Sequence, residues 1–174
     1  MNNDFTQGIV DRFRSMPIAK SSILGGHVLT AVVFNAFSVL LVMLFALLIG
    51  FRSDAGIGGW LITIAILLLF TLAMTWVAVF FGLLANSAEG AGVFSYLLMF
   101  LLFISSAFTP ADSMRGIIRL FAENQPMTPI IETVRSLLLG MPAGKNALIS
   151  VLWCSVILFV SYIAAIKTYK HKTA

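Results

Sequence analysis

Long apolar runs separated by short polar stretches dominate this chain. Residues 28–49 carry no charged side chain, and a run of about 22 such residues is long enough to cross a hydrocarbon core about 30 Å thick. Three further runs follow at about 60–84, 91–108 and 147–166. The pattern predicts four transmembrane helices. The second is long enough to tilt, and Trp60 opens it where an aromatic belt would place a tryptophan. The third is the shortest. Asn35 is the strongly polar member of the first run, and its amide is expected to bond to a neighbouring helix. The stretches 51–59 and 86–90 are polar, glycine-containing turns.

Between the last two runs, residues 109–141 show a different periodicity. Thr109-Pro110 is a helix start signal, with Asp112 placed near the positive end. Met114, Ile117, Ile118 and Phe121 then fall on one face, with Arg115 and Arg119 on another. Asn124-Gln125-Pro126 breaks that helix. Thr128-Pro129 repeats the start signal, with Thr128 as the expected cap. Ile130, Ile131, Val134, Leu137 and Leu138 form a second apolar stripe, and Glu132 and Arg135 stand off it. Gly140 followed by Pro142 is a stop. The segment therefore reads as two short amphipathic helices lying at a membrane surface. Near the amino terminus, Phe5, Ile9, Phe13 and Met16 recur at helical spacing while Asp11, Arg12 and Arg14 face elsewhere. Pro17 ends this stretch, which suits a helix in the membrane interface.

Composition agrees with the pattern. Hydrophobic residues make up 60% of the chain and charged residues 10%, against about 25% charged in a soluble domain. The fold class expected is an all-α membrane protein: four transmembrane helices, an N-terminal interfacial helix, and an amphipathic hairpin before the last span. The division expected is an interfacial segment at 1–27 and a transmembrane domain at 28–174. The net charge of +4 is not gathered into a nucleic-acid-binding stripe. Cys154 lies inside a span and reads as a small packing residue. No cleavable signal peptide is visible, since the first residues are polar and include Asp4 and Asp11.

An even number of spans places both termini on one side. Arg12, Arg14, Lys20, Lys167, Lys170 and Lys172 lie on that side. Arg52, Arg115, Arg119, Arg135 and Lys145 lie on the other, three of them close to Asp112, Glu123 and Glu132. The positive-inside rule then puts both termini in the cytoplasm, with the basic tail near anionic lipid headgroups.

Catalytic and metal chemistry find no foothold in the sequence. The four spans contain no ionisable carboxylate, amine or guanidinium of the kind that ion-driven carriers bury near the midplane. Gly140, Gly144 and Lys145 miss the phosphate-loop spacing, and Asn146 follows where Ser or Thr is required. His27 and His171 are far apart and have no Cys or acidic partner close in sequence. No nucleophile–base pair can be drawn. Catalytic, cofactor and metal residues are all read as none, and any uphill transport would draw its energy from another polypeptide.

Two stretches resemble a known family. Arg14-Ser15-Met16-Pro17-Ile18, followed by Leu24-Gly25-Gly26, is similar to the motif before the third span of type-2 ATP-binding-cassette (ABC-2) transporter permeases. These are the membrane subunits of daunorubicin-resistance-type exporters. Ser105-Ser106-Ala107-Phe108-Thr109-Pro110 resembles the end of that family's fifth span. Glu123-Asn124-Gln125-Pro126-Met127-Thr128-Pro129, with Arg135, Leu137, Leu138 and Gly140, resembles its signature before the sixth. His27 departs from the family, which commonly has Arg there.

The resemblance implies a permease subunit of an ATP-driven exporter of a drug, lipid or other hydrophobic substrate. It implies a cytoplasmic ABC ATPase subunit as partner, and pairing either as a homodimer or with another permease half. It also implies an ATPase-coupling segment carried by Arg12, Arg14, Ser15, Met16 and Pro17. The hairpin becomes a re-entrant pair of helices on the outer side, with Asn124, Pro126, Thr128, Pro129 and Arg135 as its motif. Members of the family usually have six spans, so the chain is expected to correspond to the carboxy-terminal four. The alternative reading is a truncated or degenerate permease that only binds partners in the membrane.

Overall fold

A computed structural model describes residues 20–85, 88–108 and 113–173. The interfacial helix expected around Phe5–Met16, and with it Arg12, Arg14, Ser15, Met16 and Pro17, lies outside the described residues. The described residues form six helices in the order α1 (Lys20–Leu48), α2 (Ile57–Leu84), α3 (Ala88–Phe103), α4 (Gly116–Asn124), α5 (Met127–Leu138) and α6 (Gly144–Thr173). No strand occurs among them. Three helices contain segments long and apolar enough to cross a membrane: Gly25–Leu48, Ile57–Leu84 and Gly144–His171.

The third expected span differs from its prediction. Its helix, α3, has 16 residues, about 24 Å of rise, which falls short of a full hydrocarbon core. The chain leaves the helix after Phe103 and turns through 104–108. Ser105 marks the reason: its hydroxyl donates to the Leu102 carbonyl at 2.6 Å and accepts from the Ala107 N–H at 3.2 Å. A side chain that bonds its own neighbouring backbone in this way competes with helix continuation.

α2 is the axis of the bundle, contacting α1, α3, α5 and α6. Its buried residues, Thr63, Ile66, Ala73, Thr75, Val79 and Leu83, recur at helical spacing. α6 meets it with a narrow row of mostly small side chains, Ser150, Cys154, Ser161 and Ala165, all buried. Small residues let two helices approach closely where lipid removes the usual hydrophobic drive. Trp76 and Tyr162 close the same seam edge to face, with ring centroids 4.8 Å apart.

Two apolar clusters fix the directions of the helices. Val28, Val79, Leu83, Ala165 and Tyr169 form one, so the beginning of α1 and the ends of α2 and α6 share one end of the bundle. Ile66, Ile130, Leu137 and Cys154 form the other, with Leu69, Phe70 and Ala143 packed against it. α2 and α6 therefore run parallel and α1 antiparallel to both. Both α1 and α5 end on a glycine in the left-handed region, Gly50 at φ 105° and Gly140 at φ 69°. In each case the glycine's own amide and the next one bond back to the helix. Gly140 N–H donates to Leu137 and Met141 N–H to Ser136, and Gly50 N–H donates to Leu47 and Phe51 N–H to Ala46. This paired return satisfies carbonyls that a helix end leaves open.

Most of the remaining apolar surface points outward. Phe34, Phe37, Leu40, Val42 and Phe45 on α1 are all exposed. Asn35 is exposed too, and its amide donates to the Ala31 carbonyl of its own helix at 2.8 Å. Among the described residues the bond to a neighbouring helix expected for it is not made, because this face of α1 has no described helix packed on it.

Candidate functional site: a helix pair inserted beside the central span

The hairpin is where the polar chemistry of the described chain collects. α4 begins at Gly116, whose φ of 62° follows an extended Arg115. Met114, expected on the apolar stripe, precedes this helix and is not part of it. Thr109 and Pro110 themselves lie outside the described residues. The change of hand at Gly116 resets the backbone, which only glycine does at little strain. α4 stops at Asn124, as the Asn-Gln-Pro sequence predicts, and Asn124 Nδ2 donates to the Leu120 carbonyl at 2.8 Å. Its exposed face carries Ile117, Ile118 and Leu120, and Arg119 Nε donates to Glu123 at 2.7 Å.

α5 begins at Met127 with Pro126 in the capping position, and Pro126 is already helical at φ −66°, ψ −26°. Thr128 therefore falls inside the first turn and makes no cap. Its hydroxyl is buried without a hydrogen-bond partner among the described residues. The expected capping role is corrected, and the physical reason is that the helix starts two residues earlier than the Thr-Pro signal implies. Pro129 sits in the first turn, where its missing N–H leaves nothing unmet.

The second apolar stripe is real but shifted. Ile130 and Leu137 are buried, while Ile131, Val134 and Leu138 are half-buried. Thr133, absent from the expected stripe, is fully buried between Ile130 and Leu137. It reaches Ser150 on α6, oxygen to oxygen at 3.0 Å. Each hydroxyl also lies 2.7 Å from a carbonyl of its own helix, Pro129 for Thr133 and Asn146 for Ser150. Two protons serve three contacts, so one hydroxyl donates across the interface and the other to its own backbone.

Arg135 joins the hairpin to α3. Its guanidinium donates to Glu132 at 2.8 Å and to the Ser106 carbonyl at 2.8 Å. This planar fork ties the turn after α3 to one face of α5. A second lock lies at the α1–α2 loop. Ser53 Oγ donates to the Leu138 carbonyl at 2.7 Å and accepts from the Ala55 N–H at 3.2 Å. Close packing supports it: a Cβ on Gly140 would lie 2.9 Å from the Asp54 carbonyl oxygen, and one on Gly59 would lie 3.4 Å from the Leu137 carbonyl oxygen.

These contacts set how far the hairpin reaches into the bundle. The end of α5 lies beside Gly59, near the start of α2. Its beginning shares a cavity with Leu67 and Phe70, and Phe70 is close to the midpoint of α2. Gly59 and Phe70 are separated by about 16 Å along α2 at 1.5 Å per residue. α5 thus runs alongside the central span for about half its length rather than lying flat on an outer surface. The cavity measures about 320 Å³ and is lined by Leu67, Phe70, Leu102, Met127, Ile130, Ile131, Val134 and Arg135.

The motif residues Asn124, Pro126, Thr128, Pro129 and Arg135 are not one cluster. Asn124 is exposed at the end of α4, Thr128 and Pro129 are buried in the first turn of α5, and Arg135 stands two turns on. Sequence reasoning missed Ser53, Gln125, Thr133 and Ser150. Thr133 carried a legible signal, a hydroxyl three residues from Ile130 and four from Leu137 on the face that had to be buried. Ser53 carried none, since it lies in a polar turn like many others. No group of three or more His, Cys, Asp or Glu residues able to hold a metal occurs among the described residues.

Apolar side chains facing outward, three helices long and apolar enough to cross a membrane, and a helix pair packed beside the central one define an all-helical membrane protein. Within that class the chain belongs to the ABC-2 type transporter family, which matches residues 2–139. It is 28% identical over 141 residues to the daunorubicin resistance ABC transporter permease protein DrrB1 of Streptomyces coeruleorubidus. That alignment covers 80% of this chain and 50% of the relative, so the chain spans about half the length of the curated protein it matches. No solved structure matches it.

Proposed function

We propose that this chain is a membrane permease subunit of an ATP-driven exporter for a drug, lipid or other hydrophobic molecule. Family membership over residues 2–139 is the observation that carries the reading. ATP hydrolysis then belongs to a separate cytoplasmic ABC subunit, and the permease works as a homodimer or with another permease half. Both termini are cytoplasmic, and the hairpin is on the outer side. The common end shared by the beginning of α1 and the end of α6 supports placing the termini together, and Lys167, Lys170 and His171 on the last turns of α6 favour the cytoplasmic leaflet. In this orientation a cysteine at Arg52, exposed in the α1–α2 loop, reacts with a membrane-impermeant maleimide in intact cells. Labelling that requires permeabilised cells would reverse the orientation.

Residues 1–27 form the coupling segment in this proposal, and 28–174 the transmembrane domain. Force from the ATPase enters through Arg12, Arg14, Ser15, Met16 and Pro17, with the arginines presenting charge to the partner. Arg14→Glu should weaken capture of a co-expressed ABC ATPase subunit on vesicles by about tenfold while membrane insertion stays normal. If Arg14 instead only holds anionic lipid, contributing about 1 kcal/mol, ATPase capture is unchanged and lipid affinity falls. That result would remove the segment from the coupling path. Asn124, Pro126, Thr128, Pro129 and Arg135 shape the outer hairpin, and Arg135 positions it against the exit of α3.

A further inference from the structure

Asn35 stands near the middle of the first span with its amide only half used. It is the eleventh residue of the 24-residue membrane segment Gly25–Leu48, about 15 Å from one end and about 20 Å from the other at 1.5 Å per residue. Its Nδ2 donates one proton to the Ala31 carbonyl. The side-chain carbonyl oxygen and the second N–H have no partner among the described residues, and the side chain is exposed. Lipid tails offer an amide neither donor nor acceptor, so an open amide at this depth is costly until another protein group meets it. The face it occupies is patterned. Ala31, Asn35, Ser38, Val42 and Phe45 follow one another at alternating intervals of four and three residues, the heptad spacing of a helix–helix seam. Val42 and Phe45 are exposed, and Ala31 and Ser38 are half-buried. α2 meets α1 along a different row, Val28, Val32, Ala36, Val39 and Met43. At 3.6 residues per turn the two rows are about 100° apart. Over its most apolar stretch α1 buries no residue among those described, unlike α2 and α6.

We propose that this seam is where a second copy of the chain docks, with Asn35 of one copy bonded to Asn35 of the other. Geometry and chemistry together select a second copy. Identical chains inserted the same way in one membrane are related by a two-fold axis along its normal, so their α1 helices meet parallel and at equal depth. Asn35 then faces Asn35. A carboxamide both donates and accepts, so the two side chains exchange N–H···O bonds reciprocally, and a single buried Asn pair of this kind fixes register as well as partner. Ala31 and Ser38, one step to either side, are small enough for the two backbones to approach closely at that height. Val42 and Phe45 extend the contact toward the α1–α2 loop. The inference deepens the pairing in the proposed function, on which it rests for its biological meaning, by naming the face a homodimer uses. Its test reads association alone, so its failure leaves the permease reading standing, and a failed transport assay leaves the seam standing.

Self-association of the purified full chain is measured in liposomes as energy transfer between copies labelled at the carboxy terminus with donor or acceptor, over a range of protein-to-lipid ratios. Asn35→Leu should weaken association by about tenfold. Asn35→Gln, which keeps the amide, should retain most of it. Val33→Leu, at an exposed position roughly opposite the seam, should match the wild type. Because Asn35 bonds only within its own helix, all three variants should keep wild-type helix content. Cross-linking in native membranes then maps the face, with Cys154→Ala as the background. Ser38→Cys should give a disulfide-linked dimer on mild oxidation, since the seam brings two such positions together, and Val33→Cys should not. Equal energy transfer for the wild type and Asn35→Leu overturns the proposal, as does cross-linking at Val33 as strong as at Ser38. Association seen only when another permease half is co-expressed overturns it too, since the occupant is then a different chain.

Discussion

Thr128 and Gly140 bracket α5, and each is decided by a few ångströms of local geometry. Thr128 carries the sequence signature of a cap, yet Pro126 already adopts helical angles and the helix begins before Thr128 can act. The residue type was legible and its register was not, because a Thr-Pro pair that starts a helix and one that falls inside a helix begun two residues earlier look alike in sequence. Gly140 is the opposite case. A glycine before Pro142 reads as a stop, and its φ of 69° with the Asp54 carbonyl oxygen 2.9 Å from any added Cβ makes it indispensable. Gly140→Ala meets both a left-handed backbone penalty of about 1–2 kcal/mol and that contact. Its melting temperature in detergent should therefore fall by several degrees, whereas Gly144→Ala, whose Cβ meets nothing within 4 Å, should bear the backbone penalty alone. Equal losses for the two variants would show that the α1–α2 loop does not press on the hairpin.

At the scale of the element, the hairpin shows what periodicity carries and what it omits. Two short amphipathic helices, their break at Asn124-Gln125-Pro126 and the end of α5 at Gly140 were all legible, as were the apolar lengths of α1, α2 and α6. What covers an apolar stripe was not. Ile130 and Leu137 look the same in sequence whether they face lipid headgroups or the side of α2, so the surface placement expected for the pair could not be told from the inserted one. The packing of Ile130 and Leu137 with Ile66 and Phe70 of α2 places the pair beside that helix. A nitroxide attached at Asn124→Cys, exposed at the deep end of the hairpin, should be more accessible to oxygen than to a water-soluble nickel chelate. One at Met141→Cys, exposed just beyond α5, should show the reverse. Equal chelate accessibility at both sites would return the hairpin to the surface. α3 also escaped a full reading: the apolar run continues to Phe108, but the helix ends at Phe103 and Ser105 turns the backbone just beyond it.

For the whole molecule, an axis of α2 and α6 holds the bundle together, and α1, α3 and the α4–α5 pair are arranged about it. The Arg135 fork to Ser106 and the Ser53 bridge to Leu138 make the hairpin part of that bundle, so movement of α3 or of the α1–α2 loop reaches it directly. This gives the proposed exporter a route from helix movement to an outer-side change of shape. In the same proposal the amino-terminal segment, whose coupling role the family resemblance implies, is the entry point for force. Reconstitution of the chain with a co-expressed ABC ATPase subunit in inside-out vesicles tests the exporter reading most directly, with uptake of daunorubicin, the drug in the relative's name, as the readout. The account predicts accumulation that requires ATP, the ATPase subunit and this chain together. Daunorubicin entry that is the same with and without ATP, or the same when this chain is left out, would contradict it.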